Sequence, residues 1–448
     1  MSSLMNSWKA TRCGGFSLTP LVLALLLIAT GSCGWYLVST LPRDRFAEGR
    51  VHLVVLTHPD LRDYAYFKAT VDRFMREHPH ITVEVRRTPE LYRKLAAMIA
   101  GKAAPDLTWM GYAFSEFADR GAFLDITDRF KRDYPTHDFL PHVLKWYQVR
   151  KRMEDGTIQP RQMGVPYSID MTFVVYNRRL FDEADVPHPT NDWTFDDFLG
   201  AARKLTVRDE DGRVVQWGFR GVVPMHLFGA EFFSADGQTP LCNTPEMINY
   251  LKTNVALFRE HRVMPQPGRL DEQRLDRYEL FRSGKFAMMQ FFTGYLPHAA
   301  DKFADMDWDI ALDPKVKRRG QWASSGAILT TAQTKHPDEA WLLCREFFGR
   351  EFQQLMAYRG LPSDETVARR AYLGHVGKPQ NLKVLYETRN HLFPTPRVPN
   401  AVELTEICLQ GHEAVWAQRL TPEAAMAQAE KQMRDTIRKN NERRQRSE

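Results

Sequence analysis

The run Met171–Tyr176 (MTFVVY) constrains this chain more than any other stretch. It is apolar and β-rich rather than alternating, the pattern of a strand covered on both faces, and such strands belong to sheets with helices packed above and below. Pro166 bars a helix immediately before it and pushes Val165 to extended geometry. One acid, Asp170, stands where the chain enters the buried run. An acid in that place needs a partner, and a ligand is one candidate. After the strand comes a Pro-punctuated loop, then Thr194 with Asp197 three residues on, a capping box that predicts a helix over 195–205.

Upstream, strand and helix patterns alternate. Val51–Thr57 reads as a first strand, Tyr64–His78 as a helix stopped by Pro79, and Ile81–Arg86 as a second strand. Leu91–Ala100 reads as a helix stopped by Gly101, and Asp106–Met110 as a third strand, with Trp109 in its core. This spacing implies βαβ units and a mostly parallel sheet, hence an α/β fold. The 448 residues exceed what one core usually supports, so two domains are expected, and 43% hydrophobic with 12% aromatic residues suffices for both.

The second feature is the N-terminus. No charged residue occurs from Cys13 to Pro42, with Lys9 and Arg12 before the run and Arg43, Asp44 and Arg45 after it. Residues 16–39 are long enough for a spanning helix of ~20 apolar residues, which predicts a membrane anchor with residues 1–15 cytoplasmic and the bulk exported. A cleaved signal peptide and a lipidated Cys33 are the alternatives, and all three place the remainder outside the cytoplasmic membrane. The net charge of +6 is mild, half of it from the fifteen residues Arg434–Glu448, read as a solvated helix end running into a basic tail at 441–448. No nucleic-acid partner is expected. Beyond the leader, Cys242, Cys344 and Cys408 show no CxxC spacing. They read as buried free thiols, with one disulfide as the alternative, and no metal site is expected.

Several blocks, taken in order, resemble one family. They are AAMIAGKAAPDLTWM, FADRGAFLDITD, GVPYSIDMTFVVYNRRLF with PTNDWTFDDF, YELFRSGKFAMMQFFTGY, WDIALDP, HPDEAWLLCREFF, RGLPS and TPEAAMAQAEKQM. Together they are similar to the extracellular solute-binding proteins of ABC transporters, in the carbohydrate-binding group that includes maltose-binding protein, over roughly residues 50–435. The resemblance implies a two-lobe periplasmic-binding-protein-like fold of type II with the ligand in the interlobe cleft. Lobe one would span 50–166 plus 314–364 and lobe two 171–310 plus 365–440, with crossings near 167–170, 310–313 and 364. It implies a monomer that binds a sugar or similar polar solute and hands it to ABC permease subunits driven by an ATPase, without a cofactor. A membrane-anchored solute sensor is the alternative. Catalysis has no support, since GxSxG, HExxH and P-loop motifs are missing.

The candidate ligand-binding residues follow from the resemblance and from position. Asp170 matches a carboxylate that accepts sugar hydroxyls, a role suited to an ionised acid. Tyr167 stands beside it. Tyr295 matches an aromatic that stacks on the sugar ring, where CH groups bury against the π face. Tyr112 and Glu116 follow the third strand, and His58 and Asp60 the first. Trp322, Ser324, Ser325 and Gly326 precede the strand Ala327–Thr330, where small residues permit close backbone approach, and Arg359 is a candidate clamp.

Overall fold

A single strand, Val165–Asn177, organises the computed structural model, which describes residues 50–58, 61–267, 276–394, 398 and 400–445. The leader, Asp60 and residues 446–448 lie outside the described residues, and with them the choice between anchor, lipoprotein and cleaved signal. Among the described residues no helix is long and apolar enough to cross a membrane. The strands in chain order are β1 (Val51–Thr57), β2 (Ile81–Arg87), β3 (Leu107–Met110), β4 (Gln148–Arg152), β5 (Ile158–Gln162) and β6 (Val165–Asn177). Then come β7 (Val207–Arg208), β8 (Val214–Arg220), β9 (Phe286–Phe292), β10 (Trp308–Ala311), β11 (Gln321–Thr330), β12 (Leu361–Pro362) and β13 (Leu392–Pro394).

Eleven of these form one sheet in the order β2-β1-β3-β11-β6-β9-β8-β7, with β10 and β12 also on β6 and β13 on β11. β1 runs parallel to both β2 and β3, as the upstream alternation predicts, but the sheet as a whole is mixed rather than mostly parallel, because β11 runs antiparallel to β3 and β6, and β6 antiparallel to β9 and β10. β6 is thirteen residues long and nearly every residue is buried, as its apolar composition requires. It changes partners half-way. Val165–Met171 pair with β11, whereas Thr172–Tyr176 pair with β9 and Val174–Asn177 with β10. The peptide between Met171 and Thr172 is therefore where the chain passes from one half of the molecule to the other.

Each half has its own core. Leu53, Val55, Phe74, Trp341 and Phe347 fill one, between β1 and the helices Leu61–Glu77 and Pro337–Phe348. Val174, Phe198, Leu251, Cys408 and Met426 fill the other, beneath the helices Phe195–Lys204, Pro245–Arg259, Ala401–Trp416 and Pro422–Gln445. A third cluster, with Met110, Ile169, Met171, Phe173 and Phe291, straddles the crossing. The predicted capping box is formed. The Thr194 N–H donates to Asp197 Oδ2 at 2.8 Å, and Asp197 N–H to Thr194 Oγ1 at 3.2 Å. All three cysteines among the described residues are buried free thiols.

The return crossing carries a buried acid. Residues 315–318 bond to the second half, Lys315 N–H to Trp193 O and Lys317 N–H to Leu227 O. Just before them, Asp313 (6% exposed) accepts from Thr172 Oγ1 at 2.5 Å, Gln321 Nε2 at 3.1 Å and Gln290 Nε2 at 3.2 Å. Those donors come from β6, β11 and β9, so one carboxylate ties three strands at the crossing. Burial pushes its pKa up to about 6, with the three hydrogen bonds opposing.

Candidate functional site

The C-terminal ends of β1, β2 and β3 open onto one cavity, the position where open parallel sheets place ligands. Its volume is about 520 Å³, within the ~300–1,000 Å³ typical of small-molecule sites. His58 follows β1, Pro89 follows β2 and Tyr112 follows β3, giving one wall. The opposite wall is the end of β9 and the turn after it, Phe292, Gly294 and Tyr295. The floor is the pair of crossing strands, where Ser168 and Asp170 of β6 face Gly326 and Ser324 of β11 across the ladder.

Strand parity decides which floor residues are presented. Alternate side chains leave a strand on opposite faces. Trp322, Ser324 and Gly326 therefore line the cavity, while Ala323, Ser325 and Ala327 point into the core. This corrects the expectation for Ser325. Its side chain is 3% exposed and reaches Tyr147 Oη at 3.4 Å, and its neighbour Ser324 has the place at the cavity. Tyr167 breaks parity for a visible reason. The register passes from Ser168↔Gly326 to Pro166↔Ala327, leaving Tyr167 as the extra residue of a bulge. Bulges re-aim side chains beside functional sites, and Tyr167 joins Ser168 and Asp170 in the lining.

Aromatic rings dominate the walls. Trp109 was expected in the core but is only partly buried and lines the cavity. Its indole N–H donates to Tyr167 Oη at 3.0 Å. Gly326 makes room for this pair, since a Cβ there would lie 2.7 Å from Trp109 Nε1 and 3.0 Å from Tyr167 Oη. Across the cavity Phe292 meets Trp322 edge-on at 5.4 Å. Tyr295 carries the Arg277 guanidinium over its ring, 4.2 Å from the centroid. At the rim Tyr92 and Tyr112 pack edge to face at 5.1 Å. Asp170 sits among them. Thr293 Oγ1 donates to its Oδ1 at 3.2 Å, and the same hydroxyl accepts the Met171 N–H, so the carboxylate is fixed at the point of crossing. Arg359 approaches from the turn after the helix Arg350–Leu355.

Of the residues singled out from sequence, Asp170, Tyr167, Tyr295, Tyr112, His58, Trp322 and Arg359 come together around this cavity. Ser325 does not. Glu116 does not line it either; it lies partly buried on the helix Phe114–Ala118, away from the lining. Trp109, Tyr92 and Phe292 were missed, because the packing that brings them to the cavity leaves no local mark in the sequence.

A model of the bacterial extracellular solute-binding protein family matches residues 58–353, well over half of the chain. The chain belongs to that family. This solute-binding protein is similar throughout to solved relatives. An ABC substrate-binding protein of Listeria monocytogenes in complex with cycloalternan has a TM-score of 0.72 at 23% identity, covering 87% of this chain and 99% of that one. A maltose/maltodextrin-binding domain of Bdellovibrio bacteriovorus bound to maltotriose has a TM-score of 0.68 at 21% identity, covering 87% and 100%. A curated putative binding protein of Brucella abortus is 21% identical over 382 residues, 81% of this chain and 88% of the relative. The fold of the solute-binding protein is thus the two-lobe type II architecture, and the two halves joined at Met171–Thr172 are its lobes. The family and these neighbours are binding proteins rather than enzymes.

Proposed function

We propose that the protein is the extracellular component of an ABC importer, holding a sugar or closely related polar solute between its lobes and delivering it to a membrane permease powered by partner ATPase subunits. The observation that carries the reading is the composition of the cavity, aromatic rings on both walls with one fixed carboxylate, Asp170, at the crossing between them. Sugars offer apolar CH faces to rings and hydroxyl donors to carboxylates, so this combination matches their two kinds of surface. Solved relatives whose ligands are cycloalternan and maltotriose support it. Tyr295, Trp322, Trp109 and Tyr112 are the stacking surfaces in this reading. Asp170 is the hydroxyl acceptor, with Tyr167, His58 and Arg359 completing the polar contacts. The lobes close over the solute by rotation about the crossings.

A thermal-shift screen of mono- and oligosaccharides, polyols and sugar phosphates tests this. A ligand present at 100 times its Kd stabilises the native state by about 2.7 kcal/mol, an easily read shift. Asp170→Ala and Trp109→Ala should each weaken the responding sugar by tenfold or more, about 1.4 kcal/mol. No shift with any carbohydrate would overturn the sugar assignment.

A further inference from the structure

Part of the cavity is lined by side chains for which a sugar ring has no use. Phe67 comes from the helix Leu61–Glu77 and Leu91 opens the helix Leu91–Ala100. Phe352 and Met356 come from the helix Arg350–Leu355 and the residue after it. All four line the cavity although they are only 7%, 2%, 2% and 3% exposed, so they are core residues that reach it from within. Phe67, Phe352 and Met356 belong to the core packed on β1. A chain of ring contacts ties this recess to the rest of the site. Phe67 stacks on Phe347 at 4.2 Å, Phe347 meets Phe352 edge-on at 5.4 Å, and Phe352 meets Tyr167 edge-on at 5.3 Å. The recess therefore adjoins the Trp109–Tyr167 pair. Asp170 stands three residues further along β6, beside Thr293 of the opposite wall.

The two regions differ in the chemistry they accept. None of the four recess side chains carries a strong hydrogen-bond donor or acceptor, the Met356 thioether being a weak acceptor only. A sugar ring pressed against them would lose water from its hydroxyls without gaining partners, and that is costly. Leu91 and Met356 also have no flat face on which a ring could stack. An alkyl chain or an aryl ring gives up no hydrogen bonds there and gains by leaving water. The unbranched Met356 side chain can adapt to such a group. At the crossing the needs are reversed, because a buried carboxylate wants donors, and sugar hydroxyls supply them.

We propose that the solute is amphiphilic, a glycoside whose sugar is held at Asp170 and whose uncharged alkyl or aryl aglycone enters the recess formed by Phe67, Leu91, Phe352 and Met356. The inference rests on the sugar-binding reading and names the class of sugar derivative, so it can fail while that reading stands.

The test is calorimetric titration of the full chain with free glucose, galactose and mannose, and with the methyl, propyl, hexyl and phenyl β-glycosides of each. Each methylene buried in the recess should tighten binding about fourfold. Affinity should therefore climb from methyl to propyl to hexyl, and the phenyl glycoside should exceed the methyl one by about tenfold. Met356→Gln sets an amide of similar length in the recess and should lower the hexyl-to-methyl affinity ratio by about fourfold. Leu91→Gln, on a different helix, should lower it likewise. Asp170→Ala should weaken methyl and hexyl glycosides by a common factor, because it touches only the sugar. Taking the ratio within one protein cancels any loss of stability that a variant brings. Equal affinities for methyl, propyl and hexyl glycosides would overturn the proposal and leave the sugar reading intact. Failure of every free sugar and every glycoside to bind would overturn both.

Discussion

Asp313 gives this protein a stability that should fall as pH rises through the slightly acid range. Its pKa is pushed up to about 6 in the folded chain, against about 3.9 for an unperturbed aspartate. The folded state therefore holds a proton more tightly than the unfolded state does. The stability from this group is complete below about pH 3.9 and is lost as pH rises through 6. A difference of roughly two pH units at 1.36 kcal/mol each amounts to about 3 kcal/mol. Asp313→Asn replaces the ion with a neutral side chain of the same shape. Its oxygen can accept from Thr172 and Gln321 in place of Oδ2. Its NH₂ then faces Gln290 Nε2, and turning that amide gives up the Val222 N–H bond to Gln290 Oε1, 3.3 Å in the native protein. One such hydrogen bond is worth about 1 kcal/mol, less than the ionisation it removes. The substitution should therefore stabilise the protein by about 1–2 kcal/mol at pH 8 and destabilise it by about 1 kcal/mol at pH 4. Urea unfolding of both proteins at the two pH values measures this. Comparing their difference across pH cancels every other titrating group. Curves for the two proteins that run parallel between pH 4 and 8 would show that Asp313 does not titrate at the crossing, and the reasoning would be wrong.

Two further outcomes follow from the same geometry. Gly326→Ala should cost about 1–3 kcal/mol through overpacking, because both nearest groups, Trp109 and Tyr167, are rigid rings. It should also weaken the sugar found in the screen by pushing Trp109 into the cavity, and titration calorimetry with that sugar reads the second effect. His412, 1% exposed among Phe232, Tyr250 and Trp416, is held down to about 4 by burial. A depressed histidine contributes stability above about pH 6.5 that is lost as pH falls through 4, about 3 kcal/mol in all. His412→Phe should flatten the acid side of the stability profile, and an unchanged profile from urea melts between pH 4 and 7 would contradict it.

The N-terminal half of the fold was legible because its signals are local. Pro79 and Gly101 punctuate helices, Thr194 and Asp197 build a cap within four residues, and an unbroken apolar run announces a strand with no solvent face. Asp170 was legible for a related reason, since a lone acid at the edge of such a run has few neighbours of its own to satisfy it. The lining of the cavity was not, because register is a property of pairs of strands. A shift of one residue turns every side chain to the other face. Sequence could therefore set Ser324 and Ser325 side by side just ahead of Ala327 without deciding which of them meets the ligand. The bulge at Tyr167 and the indole of Trp109 pressed against Gly326 likewise exist only once β3, β11 and β6 lie side by side. Sequence alone determined the family, the α/β class and the acid at the crossing, through local patterning and ordered motifs. The tertiary structure decided which side chains share a space, because that depends on pairing and lobe contact between segments that carry no mark of each other.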